Sequence, residues 1–170
     1  NNYLQLKASG NVEFNNISTF KINLNTKNLE NLLNYWNFNH SLRDASMKSD
    51  LDISWKGGLF DFSLKGAYGK FSTNMKDGRL KKVGNRATRI FGLFNIDLLA
   101  KRLSLDFDDV TKNGFYFNSL NGDFRLDSGN IFTTNLLIKG PSAELLTVGT
   151  TNYIDETYDM QVIASPEFGE

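Results

Sequence analysis

Short stretches in which apolar and polar residues alternate recur along almost the whole chain. Phe60, Phe62 and Leu64, for example, would share one face of a strand, with polar residues between them. The same period of two recurs in Leu4/Leu6/Ala8, Val12/Phe14, Phe20/Ile22/Leu24, Leu51/Ile53/Trp55, Leu103/Leu105/Phe107, Phe115/Phe117, Phe124/Leu126 and Met160/Val162/Ala164. This alternation predicts an antiparallel sheet with one apolar and one polar face. What covers the apolar face is therefore the functional question.

Size and charge narrow the range of functions. The 170 residues suffice for one domain with a sizeable core. The 19 basic and 19 acidic residues cancel, which argues against a nucleic-acid partner because such proteins need a basic excess. There is no cysteine, so neither disulfides nor thiolate metal sites can form. No apolar run approaches the roughly 20 residues that span a bilayer.

In two segments the apolar residues recur at the spacing of a helix instead of at every second position. In residues 28–38, an apolar stripe predicts a short helix, formed by Leu29, Leu32, Leu33 and Trp36. A second amphipathic helix is predicted at 86–101, with basic residues around it. The helices divide the single domain of residues 1–170 into first strands and a short helix (1–46), a meander (47–85), the second helix (86–101) and a C-terminal meander (102–166).

Glycine, asparagine and aspartate mark the predicted turns between strands. In the first part, Gly10 and Asn15-Asn16 are predicted to separate two or three strands. The second part is predicted to contain strands at 47–56, 59–66, 67–76 and 78–83, with a turn at Asp77-Gly78. In the last part the predicted turns are at 112–114, 121–122, 128–130 and 140–141, a spacing typical of all-β proteins.

Groups suited to catalysis are scarce. The only histidine, His40, lies near Ser41 and Asp44 in a predicted connection, where residues so close in sequence rarely reach triad geometry. The carboxylates Asp106 and Asp108 sit at polar strand positions, without a calcium-binding loop around them. We therefore expect no enzymatic activity, no cofactor and no metal.

Several segments, in the same order, resemble the AsmA-like proteins and specifically their YhdP branch. The similar segments are Leu51-Asp52-Ile53-Ser54-Trp55-Lys56-Gly57, Lys76-Asp77-Gly78-Arg79-Leu80, Ala87-Thr88-Arg89-Ile90-Phe91-Gly92-Leu93-Phe94-Asn95, Gly122-Asp123-Phe124-Arg125-Leu126, Leu137-Ile138-Lys139-Gly140-Pro141 and Tyr158-Asp159-Met160-Gln161-Val162. The resemblance covers nearly the whole chain and is most specific over residues 51–166.

This resemblance implies a fold and a function. Members are large proteins of the Gram-negative envelope, anchored in the inner membrane and extending through the periplasm. They are similar to TamB and other repeating β-groove, bridge-like lipid transfer proteins. The implied fold is mainly β, a curved antiparallel meander that forms a U-shaped groove, or β-taco, with two short amphipathic helices. The chain is then a fragment of a larger envelope protein.

The implied partner is phospholipid, whose acyl chains would lie on the concave apolar face during transfer between the inner and outer membranes. Other implied partners are neighbouring β-groove segments of the same chain and both membranes, reached through parts outside this fragment; nucleic acid is not among them. The predicted groove lining is Val12, Phe14, Phe20, Ile22, Leu24, Leu51, Ile53, Trp55, Phe60, Phe62, Leu64, Phe71, Leu103, Leu105, Phe107, Phe115, Phe117, Phe124 and Leu126. The second helix is expected to cap the sheet or to face a membrane, through Arg86, Arg89, Ile90, Phe91, Phe94 and Leu98.

Alternation alone leaves two alternatives open, because the same residues would form the dry core of a closed sheet. In the first alternative the chain is a closed β-sandwich or barrel that serves as a structural or protein-interaction module of the envelope. In the second it is a small-ligand β-barrel. An open groove predicts exposed apolar surface and bound lipid, whereas a closed module predicts a dry core and a protein partner.

Overall fold

A computed structural model of the chain describes residues 4–14, 16–35, 42–80, 115–141 and 143–166. Within these ranges the chain is almost entirely strand, with a single short α-helix and one turn of 3₁₀-helix. The elements are β1 (Leu4–Val12), β2 (Ile17–Thr26), α1 (Leu29–Tyr35), β3 (Leu42–Arg43), β4 (Ser46–Lys56), the 3₁₀ turn (Leu59–Asp61), β5 (Ala67–Leu80), β6 (Phe115–Asp127), β7 (Asn130–Lys139), β8 (Ala143–Asn152) and β9 (Thr157–Pro166).

The described strands form one antiparallel sheet in the order β1-β2-β4-β5-β6-β7-β8-β9, and the two-residue β3 pairs with the end of β5. Apart from β3, strands that are adjacent in the sheet are consecutive in the sequence, so the sheet is a meander. Within the described residues, β1 pairs only with β2 and β9 only with β8. The sheet is therefore open and curved, which confirms the predicted mainly-β meander with a groove-like form.

The strand register and the burial of side chains together define one apolar face across the sheet, and strict alternation along it is interrupted once in each of β5, β6 and β7. Ile22 lies opposite Leu51, Leu51 opposite Phe71, and Phe71 opposite Phe124. We call this side the apolar face. Its strand positions are Leu4, Leu6, Ala8, Gly10, Val12, Ser18, Phe20, Ile22, Leu24, Thr26, Met47, Ser49, Leu51, Ile53, Trp55, Ala67, Gly69, Phe71, Thr73, Met75, Gly78, Leu80, Phe115, Phe117, Leu120, Gly122, Phe124, Leu126, Ile131, Thr133, Leu136, Ile138, Ala143, Leu145, Thr147, Gly149, Thr151, Tyr158, Met160, Val162 and Ala164. None of these positions carries a charge.

The strand predicted at 59–66 is wrong. Leu59–Asp61 form a 3₁₀ turn, and residues 62–66 continue as an irregular connection to β5. The Asp61 carboxylate accepts a hydrogen bond from Gly58 N–H at 2.7 Å, and Asp61 N–H donates to the Gly58 carbonyl. These local bonds stabilise a turn in place of a ladder, because an aspartate side chain can satisfy backbone donors two or three residues away.

The turns predicted at Asp77-Gly78 and Asn121-Gly122 are also wrong, since β5 and β6 run through both sites. At Asp77 the backbone takes a positive φ of 54°, yet the register with β6 is the same on both sides. At Gly122 the pairing of β6 with β7 shifts instead of reversing. Residues typical of turns here produce irregularities inside long strands, as β-bulges do.

Gly10 does not separate two strands; it lies inside β1, opposite Phe20. A methyl group at Gly10 would collide with the Phe20 ring and with the Thr19 carbonyl. Glycine is needed here because the ring of the neighbouring strand lies over the backbone. Asn16 is in the predicted turn, with a φ of 62°.

The first predicted helix is confirmed as the shorter α1, whereas the second, at 86–101, lies outside the described residues. The same holds for the predicted turn at 112–114 and for the predicted strand with Leu103, Leu105 and Phe107. Among the described residues, no helix is long and apolar enough to cross a membrane.

Candidate functional site: the apolar face

Helix α1 covers one end of the apolar face. Asn28 begins the helix, since its side-chain oxygen accepts the Asn31 N–H at 2.9 Å. Leu29 and Leu32 are buried in one cluster with sheet residues, including Phe117 from β6. Glu30, on the outside of the helix, pairs with Arg43 of β3 at 2.9 Å. The helix therefore covers the apolar face at the end of the strands where β2 ends. We call this end of the strands the helix rim.

Aromatic rings cover the opposite edge. Trp55 stacks on Phe20 with ring centroids 5.3 Å apart, and Phe62 meets Trp55 edge-on at 5.2 Å. The Trp55 indole N–H donates to the Gly58 carbonyl at 2.9 Å, so its polar atom is satisfied within the connection. Phe62 thus reaches the apolar face from a loop and not from a strand.

Exposure of the apolar face changes across the sheet. In β1 the side chains of Leu6 and Val12 are 52% and 51% exposed. In β7 and β8, by contrast, Ile138 and Leu145 are 0% and 2% exposed. We call β1 and β2 the open part of the face and β6, β7 and β8 the closed part. The face is thus accessible in β1 and packed in β6, β7 and β8, while Tyr158 in β9 is again 60% exposed.

Two phenylalanines stack on each other between β5 and β6, next to the closed part. The rings of Phe71 and Phe124 stack with centroids 4.5 Å apart and an interplanar angle of 10°. Phe124 is buried and Phe71 is half-buried beside it. The stacked pair therefore continues the apolar face from β5 into the buried residues of β6.

Three threonine hydroxyls on the apolar face have no hydrogen-bond partner, although they are buried: those of Thr73, Thr147 and Thr151. Thr133, in contrast, donates its hydroxyl to the Asp123 carbonyl at 2.9 Å. A buried hydroxyl without a partner costs stability. The face therefore contains a few unpaired polar atoms in an otherwise apolar surface.

The other face of the sheet is polar and charged. Lys21, Asp52, Lys70 and Arg125 are successive cross-strand neighbours, and Lys70 lies 3.8 Å from Asp52. A shallow depression of about 730 Å³ opens beside this row. No three His, Cys, Asp or Glu side chains in the described ranges form a group that could hold a metal ion. The charged side chains of the described strands thus lie on this face and not on the apolar one.

The structure brings together most of the predicted groove residues on the apolar face. These are Val12, Phe20, Ile22, Leu24, Leu51, Ile53, Trp55, Phe71, Phe115, Phe117, Phe124 and Leu126. Phe14, Phe60, Phe62 and Leu64 lie instead on connections, and Phe60 is 96% exposed. Leu103, Leu105 and Phe107, with the helix residues Arg86, Arg89, Ile90, Phe91, Phe94 and Leu98, are outside the described residues.

Sequence reasoning missed part of the apolar face in β7 and β8. Leu136, Ile138 and Leu145 are buried there, but Leu137 and Leu146 on the opposite face are apolar as well. Because both faces of these strands are apolar, the alternation disappears. The remaining signal is two short apolar runs bounded by glycine and polar residues, which is typical of a buried strand.

An open, curved antiparallel sheet with one uncharged apolar face defines the chain as a β-groove protein. The chain belongs to the YhdP protein family, whose family model matches residues 1–170. This confirms the resemblance to the YhdP branch of the AsmA-like proteins.

A curated relative is the intermembrane phospholipid transporter YhdP of Escherichia coli (strain K12), with 24% identity over 127 residues. The matched region is 74% of this chain and 10% of the relative, so the chain spans about a tenth of the length of that protein. No solved structure matches the chain significantly.

Proposed function

We propose that the chain is a segment of a protein that carries phospholipids between the inner and outer membranes of a Gram-negative bacterium. The observation that carries the proposal is the apolar face itself, which crosses the sheet without a charged side chain and is exposed in its open part. Acyl chains on this face would replace water at Leu6, Val12 and their neighbours. Similarity to a protein named an intermembrane phospholipid transporter supports the choice of ligand.

The energetics favour acyl chains over a small polar ligand. Each methylene transferred from water to an apolar surface contributes about 0.8 kcal/mol, so even a partly seated acyl chain is a substantial ligand. Since the face is uncharged, it offers no specific partner for a headgroup, which would remain in water at the groove mouth. Phospholipid would then slide along the face, and the segment would act without catalysis, cofactor or metal.

In this proposal the segment lies in the periplasm as part of an inner-membrane-anchored envelope protein. Neighbouring β-groove segments of the same chain would continue the apolar face beyond β1 and β9, because each of these strands pairs on one side only among the described elements. Edge strands of this kind are ready to pair with a further strand.

Site-specific photocrosslinking tests the proposal. A photoreactive phenylalanine analogue is placed at Ile22 on the apolar face or at Asn23 on the polar face of the same strand, in Gram-negative host cells. Phospholipid adducts are expected at position 22 and not at position 23, because neighbouring strand residues point to opposite faces. Adducts at both positions, or at neither, would contradict lipid binding on this face.

A second candidate is a structural or protein-interaction module of the envelope. The closed part favours it, because Leu136, Ile138 and Leu145 are packed as tightly as an ordinary protein core. In that case no lipid adduct forms in the open part, and a crosslink from Ile22 would join the chain to a protein.

A further inference from the structure

Four of the connections between neighbouring strands lie on the edge of the sheet opposite α1. They join β1 to β2, β4 to β5, β6 to β7, and β8 to β9. The register places them together, since Ser18 pairs with Trp55, Tyr68 with Asp127, and Asn130 with Asn152 near this edge. We call this edge the hairpin rim.

Backbone hydrogen bonds join successive connections along the hairpin rim. Gly57 N–H donates to the Asn16 carbonyl at 2.6 Å, and Tyr153 N–H donates to the Gly129 carbonyl at 2.8 Å. Between them, Ser128 N–H donates to the Ala67 carbonyl at the start of β5, at 2.9 Å. The rim is thus a continuous, ordered edge whose connecting backbone groups are partly satisfied by one another.

Large apolar side chains are exposed on this rim, although that of Ile154 lies beside Gly129. Phe14 and Phe60 are fully exposed, and Leu59 is 52% exposed. At the far end of the rim, Tyr153 and Ile154 are 44% and 41% exposed. At the helix rim, among the described residues, Tyr35 is 86% exposed, and Tyr116 near the start of β6 is 49% exposed. The hairpin rim therefore presents several exposed apolar side chains.

We propose that the β1–β2 and β4–β5 connections of the hairpin rim contact a lipid bilayer, with Phe14 and Phe60 inserted among the acyl chains. Separate apolar tips on an ordered edge suit a fluid bilayer, which accepts insertion points that need not form one flat patch. Insertion also requires that backbone polar groups find partners within the protein, as they do between these connections. Phenylalanine and tyrosine are well suited to the membrane interface.

The rim is continuous with the apolar face, and this continuity favours a bilayer over a protein partner. From exposed Phe60 the connection leads to Phe62, whose ring contacts Trp55, and Trp55 in turn stacks on Phe20. This part of the inference rests on the proposed function, because it gives acyl chains a lateral path between bilayer and groove. The membrane contact is made by this segment itself, in addition to contacts through other parts of the protein.

The charges on the rim predict which lipids bind. The described residues of the four connections include four acids, Glu13, Asp61, Asp155 and Glu156, and one base, Lys65. An acidic rim gains nothing from anionic headgroups, so insertion depends on apolar contact. We expect binding to phosphatidylcholine vesicles that does not increase when phosphatidylglycerol is added.

The absence of cysteine allows a clean test with single labels. Phe60→Cys on the hairpin rim and Tyr35→Cys on the helix rim are each labelled with a nitrobenzoxadiazole dye on the full chain. With phosphatidylcholine vesicles, the dye at position 60 should shift to shorter wavelength and be quenched by spin-labelled lipid, while the dye at position 35 should not respond. Equal responses at both positions, or no response at position 60, would overturn the proposal.

Vesicle flotation provides the second readout. Phe60→Ser should lower vesicle affinity about tenfold, because one inserted phenylalanine is removed, while Tyr35→Ser should leave it unchanged. Both side chains are exposed, so folding is retained, and urea unfolding checks this. Binding that requires phosphatidylglycerol would overturn the proposal. Lipid adducts at Ile22 without vesicle binding through Phe60 would leave the proposed function standing and remove only the rim contact.

Discussion

Strand β1 of the open part and strand β6 of the closed part both alternate apolar and polar residues, but they have different surroundings. In β1, Leu6 alternates with lysine and glutamine and remains half exposed. In β6, Phe117 and Phe124 alternate with polar residues in the same way, yet they are 2% and 6% exposed. Alternation therefore identifies the apolar face without indicating whether water reaches it. The open part is suited to a ligand, and the closed part holds the sheet together.

Leucine truncations should show the largest difference between the two parts. Leu136→Ala in the closed part should lower the free energy of unfolding by about 2–5 kcal/mol, because it leaves a cavity in a packed core. Leu6→Ala in the open part should cost less than about 1 kcal/mol, since its side chain is already half exposed. Urea denaturation of the two variants measures both values. Equal losses would mean that the open part is also a core.

A glycine in the closed part offers the next test. Gly149 of β8 has a φ of 138°, and a methyl group there would lie 2.8 Å from the Met160 Cα of β9. Gly149→Ala should destabilise the protein by about 1–3 kcal/mol from backbone strain alone. Gly66→Ala is the control, because nothing lies within 4 Å of its added methyl group. Thermal unfolding of the two variants should separate them; similar midpoints would rule out a close approach of β8 and β9.

Alanine substitutions in the aromatic cluster at the hairpin rim should have a smaller effect on the free energy of unfolding. Phe62→Ala should cost about 1 kcal/mol, because it removes the edge-on contact with Trp55. Phe60→Ala, only two residues away, should be close to neutral because Phe60 is 96% exposed. Chemical denaturation of both variants tests the assignment of Phe62 to the apolar face. A larger loss for Phe60→Ala than for Phe62→Ala would contradict it.

The smallest expected change is a gain in stability. Thr147→Val in the closed part should stabilise the fold by up to about 1 kcal/mol, because it removes a buried hydroxyl that has no partner. Thr133→Val should instead cost about 1 kcal/mol, since it removes a hydrogen bond to the Asp123 carbonyl. Unfolding curves of the two variants, recorded under the same conditions, measure both changes in stability. A loss of stability for Thr147→Val would show that its hydroxyl is satisfied after all.

Much of the fold was predictable because strand faces and helical stripes are local properties. The alternation at Phe20, Ile22 and Leu24 and at Leu51, Ile53 and Trp55 placed these residues on one face, and the register confirms it. The stripe through Leu29 and Leu32 predicted α1. The segments shared with the YhdP branch, together with the family match, identified the fold as a β-groove.

The errors arose where local signals have two structural meanings. Phe60 and Phe62 alternate as in a strand, but the Asp61 side chain bonds the backbone and stabilises a 3₁₀ turn. Asp77-Gly78 is a common turn sequence, yet β5 stays extended through it, because β5 pairs with β6 before and after it, with β4 up to Lys76 and with β3 from Arg79. At Phe60 and Phe62, a local hydrogen bond to the Asp61 side chain outweighed the alternation. At Asp77-Gly78, long-range strand pairing outweighed the turn propensity of the residues.

The sequence by itself determined which residues share a side within each regular stretch of strand, because side chains alternate there along the chain. The irregularities that keep Leu80, Phe117 and Leu136 on the apolar face came only from the structure. Only the tertiary structure decided how much of that side water can reach, and which connections gather at the hairpin rim. Both depend on atoms far apart in sequence, such as Leu29 of α1 beside Phe117 of β6, or Gly129 beside Tyr153. Exposure is a property of the assembled neighbours, whereas alternation is a property of the chain.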